Sequence, residues 1–188
     1  MGDPEQRPRE DEAAEQALDD ALADEAMKKS GLIWVEPAAD LPAQAVWHVW
    51  VEGRAYVLTG PGEQPDPGLV PGQPARVIVR SKDNAHRLVS FAAEVATVSE
   101  TEDDWGPATA ALAAGRLNLR DAEGAPARWS ADAATMIYRL TPDRQLQEGP
   151  GRYDDASGRE APVATSATTT RRRPWVLHRR GGSGRALS

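Results

Sequence analysis

Hydrophobic residues recur with two different periods along this chain, and each period predicts a different kind of element. Between residues 12 and 29 the apolar positions recur every four residues, at Ala14, Leu18, Leu22 and Ala26. Acidic residues crowd the first half of this segment and two lysines lie near its end. The spacing puts the apolar residues on one side of a helix, and the charges suit the helix dipole. We therefore predict an N-terminal amphipathic helix.

Farther along, β-branched and aromatic residues form short runs, several of them alternating with polar positions. These runs predict strands at residues 32–35, 44–51, 54–59, 75–80, 88–98 and 135–141. Glu52-Gly53 has the length and the glycine of a tight hairpin turn between the second and third runs. The strands follow one another too closely for helical crossovers, so the sheet is expected to be antiparallel.

The remaining pattern sets the expected domain boundaries. A second helix is predicted from Trp105 to Gly115, and Pro142 is expected to end the last strand. Residues 60–74 contain five prolines and four glycines, which predicts a long loop. The predicted fold is α+β, a small antiparallel β-barrel with an N-terminal helix and one further helix, over residues 12–142. Residues 1–11 and 143–188 have little apolar content and are expected to be a disordered acidic and a disordered basic tail.

Composition removes several classes of chemistry. The chain has no cysteine, which excludes disulfides, thiolate metal sites and a cysteine nucleophile. Its three histidines are scattered without ligand spacing, so no metal site is expected. No apolar run is long enough to cross a bilayer, and the first residues are acidic where a signal peptide would be basic. A cytoplasmic protein without membrane association is the expectation.

The net charge of −7 is unevenly distributed. Residues 171–188 carry six bases and no acid, whereas both preceding parts of the chain are acidic. Attraction to nucleic acid would therefore have to come from this tail, where RRRPWVLHRR combines arginines with Trp175. Contact of the tail with the acidic body or the acidic N-terminus, or no role at all, is the simpler interpretation, and nucleic-acid association is the weakest of the functional alternatives.

The order of elements and several phrases resemble a known family. An N-terminal helix precedes SGLIWVE, AVWHVWVEGRAYVLTG, ARVIVRSKD, LVSFAAEVATV and a terminal YRLTP. This order resembles the split-barrel flavoproteins related to pyridoxamine 5′-phosphate oxidase, over about residues 15–142. The resemblance implies a split barrel, a homodimer, and flavin mononucleotide (FMN) or a deazaflavin in a cleft between subunits. Some members of that family have no demonstrated flavin.

The resemblance also implies which residues hold the cofactor. The positions that match the phosphate-binding side chains are Arg80, Ser81 and Lys82, with Arg87 as a looser candidate. A guanidinium, an ammonium and a hydroxyl on neighbouring backbone suit a dianionic phosphate, although the same residues also suit a solvated turn. Trp47 and Trp50 fall on opposite faces of their strand, so one of them, taken here as Trp50, could stack on the flavin ring.

Some assignments remain open at this stage. Core or dimer-interface packing is the alternative role for Trp50. His48 shares a face with Val46 and Trp50, where it would either pack half-buried or face a ligand. No residue is identified as catalytic. The first functional hypothesis is a flavin-binding split-barrel protein that acts as an FMN- or deazaflavin-dependent oxidoreductase. The second is a non-catalytic binding module with the same fold and no cofactor.

Overall fold

The computed structural model of the chain describes residues 6–37, 41–116 and 119–153. Within these ranges there are three helices and seven strands. Their bounds in chain order are α1 Gln6–Lys29, β1 Leu32–Pro37, β2 Gln44–Trp47, β3 Val49–Val51, β4 Arg54–Thr59, β5 Pro74–Arg80, β6 Arg87–Thr97, α2 Trp105–Gly115, α3 Ala125–Ala131 and β7 Met136–Glu148.

The strands form one antiparallel sheet that curls around a core. Its order is β2-β1-β5-β6-β7-β4-β3, and each neighbouring pair is antiparallel. Alternate residues of the strands, such as Val77 and Phe91, point into a buried cluster that also takes Met27 of α1. The helices α2 and α3 pack over the outer side of β4 and β7, around Tyr56 and Ile137. The fold is the predicted α+β split barrel.

The predicted hairpin is confirmed. Val51 of β3 pairs with Arg54 of β4, which leaves a two-residue turn. Glu52 has a φ of 50° and Gly53 a φ of 76°, the left-handed values that a tight turn of this length requires. Upstream of the turn, the single predicted strand 44–51 is divided at His48, so that β2 pairs with β1 while β3 pairs with β4.

The end of the last strand was predicted wrongly. β7 does not stop before Pro142 but continues to Glu148. Pro142 pairs with Ala93 beside a shift of register in the β6–β7 ladder, and prolines are accommodated at such irregularities. The domain boundary predicted at residue 142 therefore falls inside a strand.

Other boundaries also differ from the sequence-based expectation. α1 begins at Gln6, within the segment 1–11 that was expected to be disordered. α3 is an additional helix where one further helix was predicted. The predicted disorder of the basic tail concerns mainly residues 154–188, which lie outside the described residues.

Candidate functional site

The outer side of three neighbouring strands carries a group of arginines. Because side chains alternate along a strand, the residues between the core positions of β1, β5 and β6 point away from the barrel interior. Val77 and Val79 belong to the interior cluster, and the residues flanking them on β5 are Arg76 and Arg80. We call this outer surface the arginine face; it comprises Trp34, Arg76, Arg80, Arg87, Ser90 and the adjoining Glu148.

Glu148, at the end of β7, holds two of the three arginines. Its Oε2 lies 2.7 Å from Nη2 of Arg76 and accepts a hydrogen bond of 2.9 Å from the Ser90 hydroxyl. Its Oε1 lies 2.5 Å from Nη1 of Arg87. Only 4% of Glu148 is exposed, and a buried carboxylate is tolerated when it is paired and hydrogen-bonded in this way. The charges of Arg76 and Arg87 are therefore already compensated within the chain.

Arg80 differs from its two neighbours. Its guanidinium carbon lies 4.9 Å from the centre of the Trp34 ring, within the range of a cation–π contact. Its Nε is buried and has no hydrogen-bond partner among the described residues, which is also true of the Nε of Arg76. No carboxylate of the described residues forms an ion pair with the Arg80 guanidinium. A buried N–H without an acceptor is unusual, because buried polar groups are normally hydrogen-bonded. Arg80 thus presents a positive charge and a spare donor beside an aromatic ring.

The two residues that follow Arg80 extend this group. The Ser81 N–H donates to the His86 carbonyl at 2.8 Å, which fixes the start of the loop after β5. The Ser81 hydroxyl accepts from the Asp83 N–H at 3.2 Å, so its own proton is not used in that contact. Lys82 is exposed. A guanidinium, a hydroxyl and an ammonium therefore follow one another at the end of β5, and each of these groups can donate to an oxyanion.

The five predicted site residues are only partly brought together. Arg80, Ser81 and Lys82 are consecutive, and Arg87 pairs with Arg80 across the β5–β6 ladder, although Glu148 also holds it. Trp50 lies on β3, the last strand of the order and four strands away from β5, which carries Arg80. Its indole Nε1 donates to Asp24 of α1 at 2.8 Å, and its ring packs against the interior cluster.

The aromatic residue beside the arginines is Trp34, which the sequence analysis did not select. Its alternation with Ile33 and Val35 in β1 indicates that it faces away from the core. What the sequence does not indicate is that β1 pairs with β5, which sets Trp34 opposite Ile78 and two residues from Arg80. A pairing between elements forty residues apart leaves no local signal.

A cavity lies elsewhere in the molecule, between β2, β4 and α2. It has a volume of about 280 Å³, and its lining includes Trp47, Leu58, Gly115 and Arg116. Arg116 is paired with Glu63 and also donates to the Gly62 carbonyl at 2.9 Å. The charge of Arg116 is therefore already compensated. An anion would bind less favourably in this cavity than at the end of β5.

Two other kinds of feature are absent from the described residues. No group of three or more histidine, aspartate or glutamate side chains there is arranged to hold a metal ion. None of the described helices combines the length and the apolar character that crossing a membrane requires.

Comparison with known proteins gives distant similarities only. No family model matches the chain, and no curated protein matches it. Among solved structures, the heme storage protein HutZ from Vibrio cholerae is 14% identical, with a TM-score of 0.46, over 65% of this chain and 88% of that one.

Two other solved structures are similar over more of the chain. The FAD and heme binding protein from Mycobacterium smegmatis is 19% identical, with a TM-score of 0.40, over 82% of this chain and 88% of that one. The flavocytochrome Anf3 from Azotobacter vinelandii is 15% identical, with a TM-score of 0.39, over 84% and 86% of the two chains. At these values the three structures do not define the chemistry of this chain.

Proposed function

We propose that this chain is a flavin-binding split-barrel protein that holds the phosphate of FMN, or of a deazaflavin, at the end of β5. The observation that supports this most directly is Arg80, whose guanidinium has a buried Nε without a partner and contacts Trp34 rather than a carboxylate. A phosphate ester attached to a flat ring has the two features that this pair of side chains can recognise.

Each residue of the site has a distinct task in this proposal. Arg80 and Lys82 compensate the charge of the phosphate, and the Ser81 hydroxyl donates to one of its oxygens. Trp34 offers an apolar surface on the same side of the sheet. A bound flavin would supply electron transfer, which makes an oxidoreductase the reaction class, while the chain binds and orients the cofactor.

Binding of FMN and of riboflavin to the purified full chain tests the proposal, because riboflavin lacks the phosphate. Quenching of flavin fluorescence measures both affinities, and the visible absorbance of the purified protein reports any flavin retained during purification. We expect FMN to bind about a hundredfold more tightly than riboflavin, since charge-assisted hydrogen bonds contribute about 1.5–3 kcal/mol each. Replacing Arg80 and Lys82 together by alanine should remove this preference.

The matched control removes the same two charge types elsewhere. Arg128→Ala with Lys29→Ala disrupts exposed ion pairs to Asp121 and Glu25, which are worth little. This control should keep the preference for FMN. If the unsubstituted chain bound neither flavin, the proposal would fail and the non-catalytic binding module would be favoured. If the Arg80 and Lys82 double variant kept the preference, the phosphate would lie elsewhere.

The homodimer implied by the family resemblance remains a prediction. The arginine face is flanked by Leu32 and Leu88, which are 56% and 38% exposed. A second copy of the chain could cover these apolar side chains. Sedimentation of the full chain at several concentrations would test this, and a monomer at all of them would exclude it.

A further inference from the structure

The arginine face carries three guanidinium groups, and Glu148 contacts two of them. Arg76, Arg80 and Arg87 all lie on this face, yet only Arg80 is without a carboxylate partner among the described residues. The side chain of Glu148 is 5% exposed, so water screens its contacts poorly. An incoming anion would have to displace a buried, hydrogen-bonded carboxylate to reach the other two arginines.

The contacts of Glu148 use both of its oxygens. Oε2 takes Arg76 at 2.7 Å and Ser90 at 2.9 Å, which leaves it little capacity for another donor. Oε1 lies 2.5 Å from Nη1 of Arg87, but this is a charge contact without hydrogen-bond geometry. Glu36 adds a weaker contact to Arg76 at 3.6 Å. Within the described residues, Arg76 therefore lies near two carboxylates, and Glu148 is a partner of Arg87 as well.

The positions of these arginines define what a larger ligand would meet. Arg87 is the register partner of Arg80, and Arg76 lies on the same side of β5, about 13 Å along the strand. A second phosphoryl group joined to the one at Arg80 would extend toward one of these side chains. Because Glu148 already compensates the charges of Arg76 and Arg87, the second phosphoryl group would lose its hydration without gaining a cationic partner.

Resting on the proposed function, we infer that Glu148 is a specificity-determining residue that restricts this site to ligands with one phosphoryl group. It does so by occupying Arg76 and Arg87, so that a monophosphate finds its complement at Arg80 and Lys82 while a diphosphate gains nothing from its second group. Removal of the Glu148 charge should therefore change the relative affinities of monophosphates and diphosphates more than it changes FMN binding itself.

Competition against bound FMN tests this inference with two simple anions, inorganic phosphate and pyrophosphate. The inhibition constants are measured for the full chain and for Glu148→Gln, which keeps an oxygen that can accept from Arg76 and Ser90. We expect the ratio of the two constants to shift about tenfold in favour of pyrophosphate in the variant, because the Arg76 guanidinium loses its buried carboxylate partner and becomes available to the second phosphoryl group.

Glu36→Gln is the matched control. It removes one negative charge from the same face, next to the same Arg76, but its carboxylate is 41% exposed and 3.6 Å away. Solvent already screens this charge, so the ratio should stay within about twofold of its original value. An equal shift in both variants would show a general charge effect and would overturn the specific role of Glu148.

Arg76→Gln provides a second test if Glu148→Gln does not fold. Because Arg76 is held by Glu148 and not by the ligand, this variant should bind FMN within about twofold of the unsubstituted chain. Weakening by tenfold or more would show that Arg76 already contacts the ligand. An unchanged ratio in folded Glu148→Gln, with FMN still bound, would overturn the inference alone. Absence of FMN binding by the unsubstituted chain would remove the proposed function as well.

Discussion

His48 is a buried titratable residue at the point where the predicted long strand divides into β2 and β3. Only 5% of it is exposed, and its Nδ1 has no hydrogen-bond partner among the described residues. Burial lowers the pKa of His48 from 6.5 to about 4, against a backbone hydrogen bond with Met27 that acts in the opposite direction. The sequence left open whether His48 was packed or faced a ligand, and the structure places it within the packing between the barrel and α1.

The pKa of His48 predicts a loss of stability in acid. The unfolded chain binds this proton near pH 6.5 and the folded chain only near pH 4, so stability present above 6.5 is lost as the pH falls toward 4. The loss attributable to His48 is about 3 kcal/mol at the lower limit. His48→Gln, which does not titrate, should show a flatter profile in urea unfolding at a series of pH values. Parallel profiles for the two proteins would contradict the assignment.

At the scale of single residues, the sequence provided candidate residues at the end of β5 but not the aromatic side chain that lies beside Arg80. Arg80, Ser81 and Lys82 were selected because the family resemblance implies phosphate-binding side chains after a barrel strand, and the end of β5 is recognisable from the local sequence. Trp34 and Glu148 could not, since their places beside Arg80 and Arg87 depend on the pairing of β1 with β5 and of β6 with β7. Such pairings follow from the whole sheet and not from the neighbouring residues.

At the scale of elements, the sequence predicted α1 as a helix correctly but predicted its buried face only in part. The four-residue spacing predicted a helix through Lys29, and α1 extends there. Ala26 of the predicted stripe is buried, but Leu18 is 60% exposed while the neighbouring Asp19 is 3% exposed. The Asp19 carboxylate accepts a hydrogen bond of 3.1 Å from the Leu146 N–H and pairs with Arg152. A hydropathy pattern cannot anticipate a buried carboxylate whose partners lie on a distant strand.

Asp19 should therefore contribute to the attachment of β7 to α1. In Asp19→Ala the Leu146 amide loses its acceptor, and we expect a loss of about 2 kcal/mol in the free energy of unfolding. Faster hydrogen exchange of that amide should accompany the loss.

The neighbouring Asp20→Ala provides the control for this prediction. Asp20 is exposed and accepts a hydrogen bond from Gln16 on the same helix, so its removal should cost less than about 0.5 kcal/mol. Equal effects of the two substitutions would show that the contact between Asp19 and β7 contributes nothing of its own.

At the scale of the whole sheet, the sequence predicted the strands and their antiparallel arrangement but not how the barrel closes. The two ends of the strand order, β2 and β3, are consecutive in the chain and separated only by His48. Where β2 faces β4, the side chain of Gln64 provides hydrogen-bond partners for the backbone of Trp47. Its Oε1 accepts from the Trp47 N–H at 2.7 Å, and its Nε2 donates to the carbonyls of Trp47 and Leu58 at 2.8 and 3.0 Å.

Gln64 lies in the loop 60–74, whose prolines and glycines predicted irregular structure and gave no sign of this role. Its amide hydrogen-bonds to the backbone of both β2 and β4, so one side chain bridges the two strands. Because three backbone groups are hydrogen-bonded to this one side chain, its removal should lower the free energy of unfolding. Each backbone N–H or C=O group left without a partner between β2 and β4 would cost about 1–3 kcal/mol where water does not reach it.

We therefore expect Gln64→Leu to lower the free energy of unfolding by about 3 kcal/mol, measured by urea denaturation. The dependence of that free energy on urea should stay unchanged, because the same surface is exposed when the barrel unfolds. Gln73→Leu, at an exposed position of the same loop, is the matched control and should change stability by less than about 0.5 kcal/mol. A small effect of Gln64→Leu would mean that water replaces the amide, in which case the barrel is closed by packing between β2 and β4 and not by this side chain.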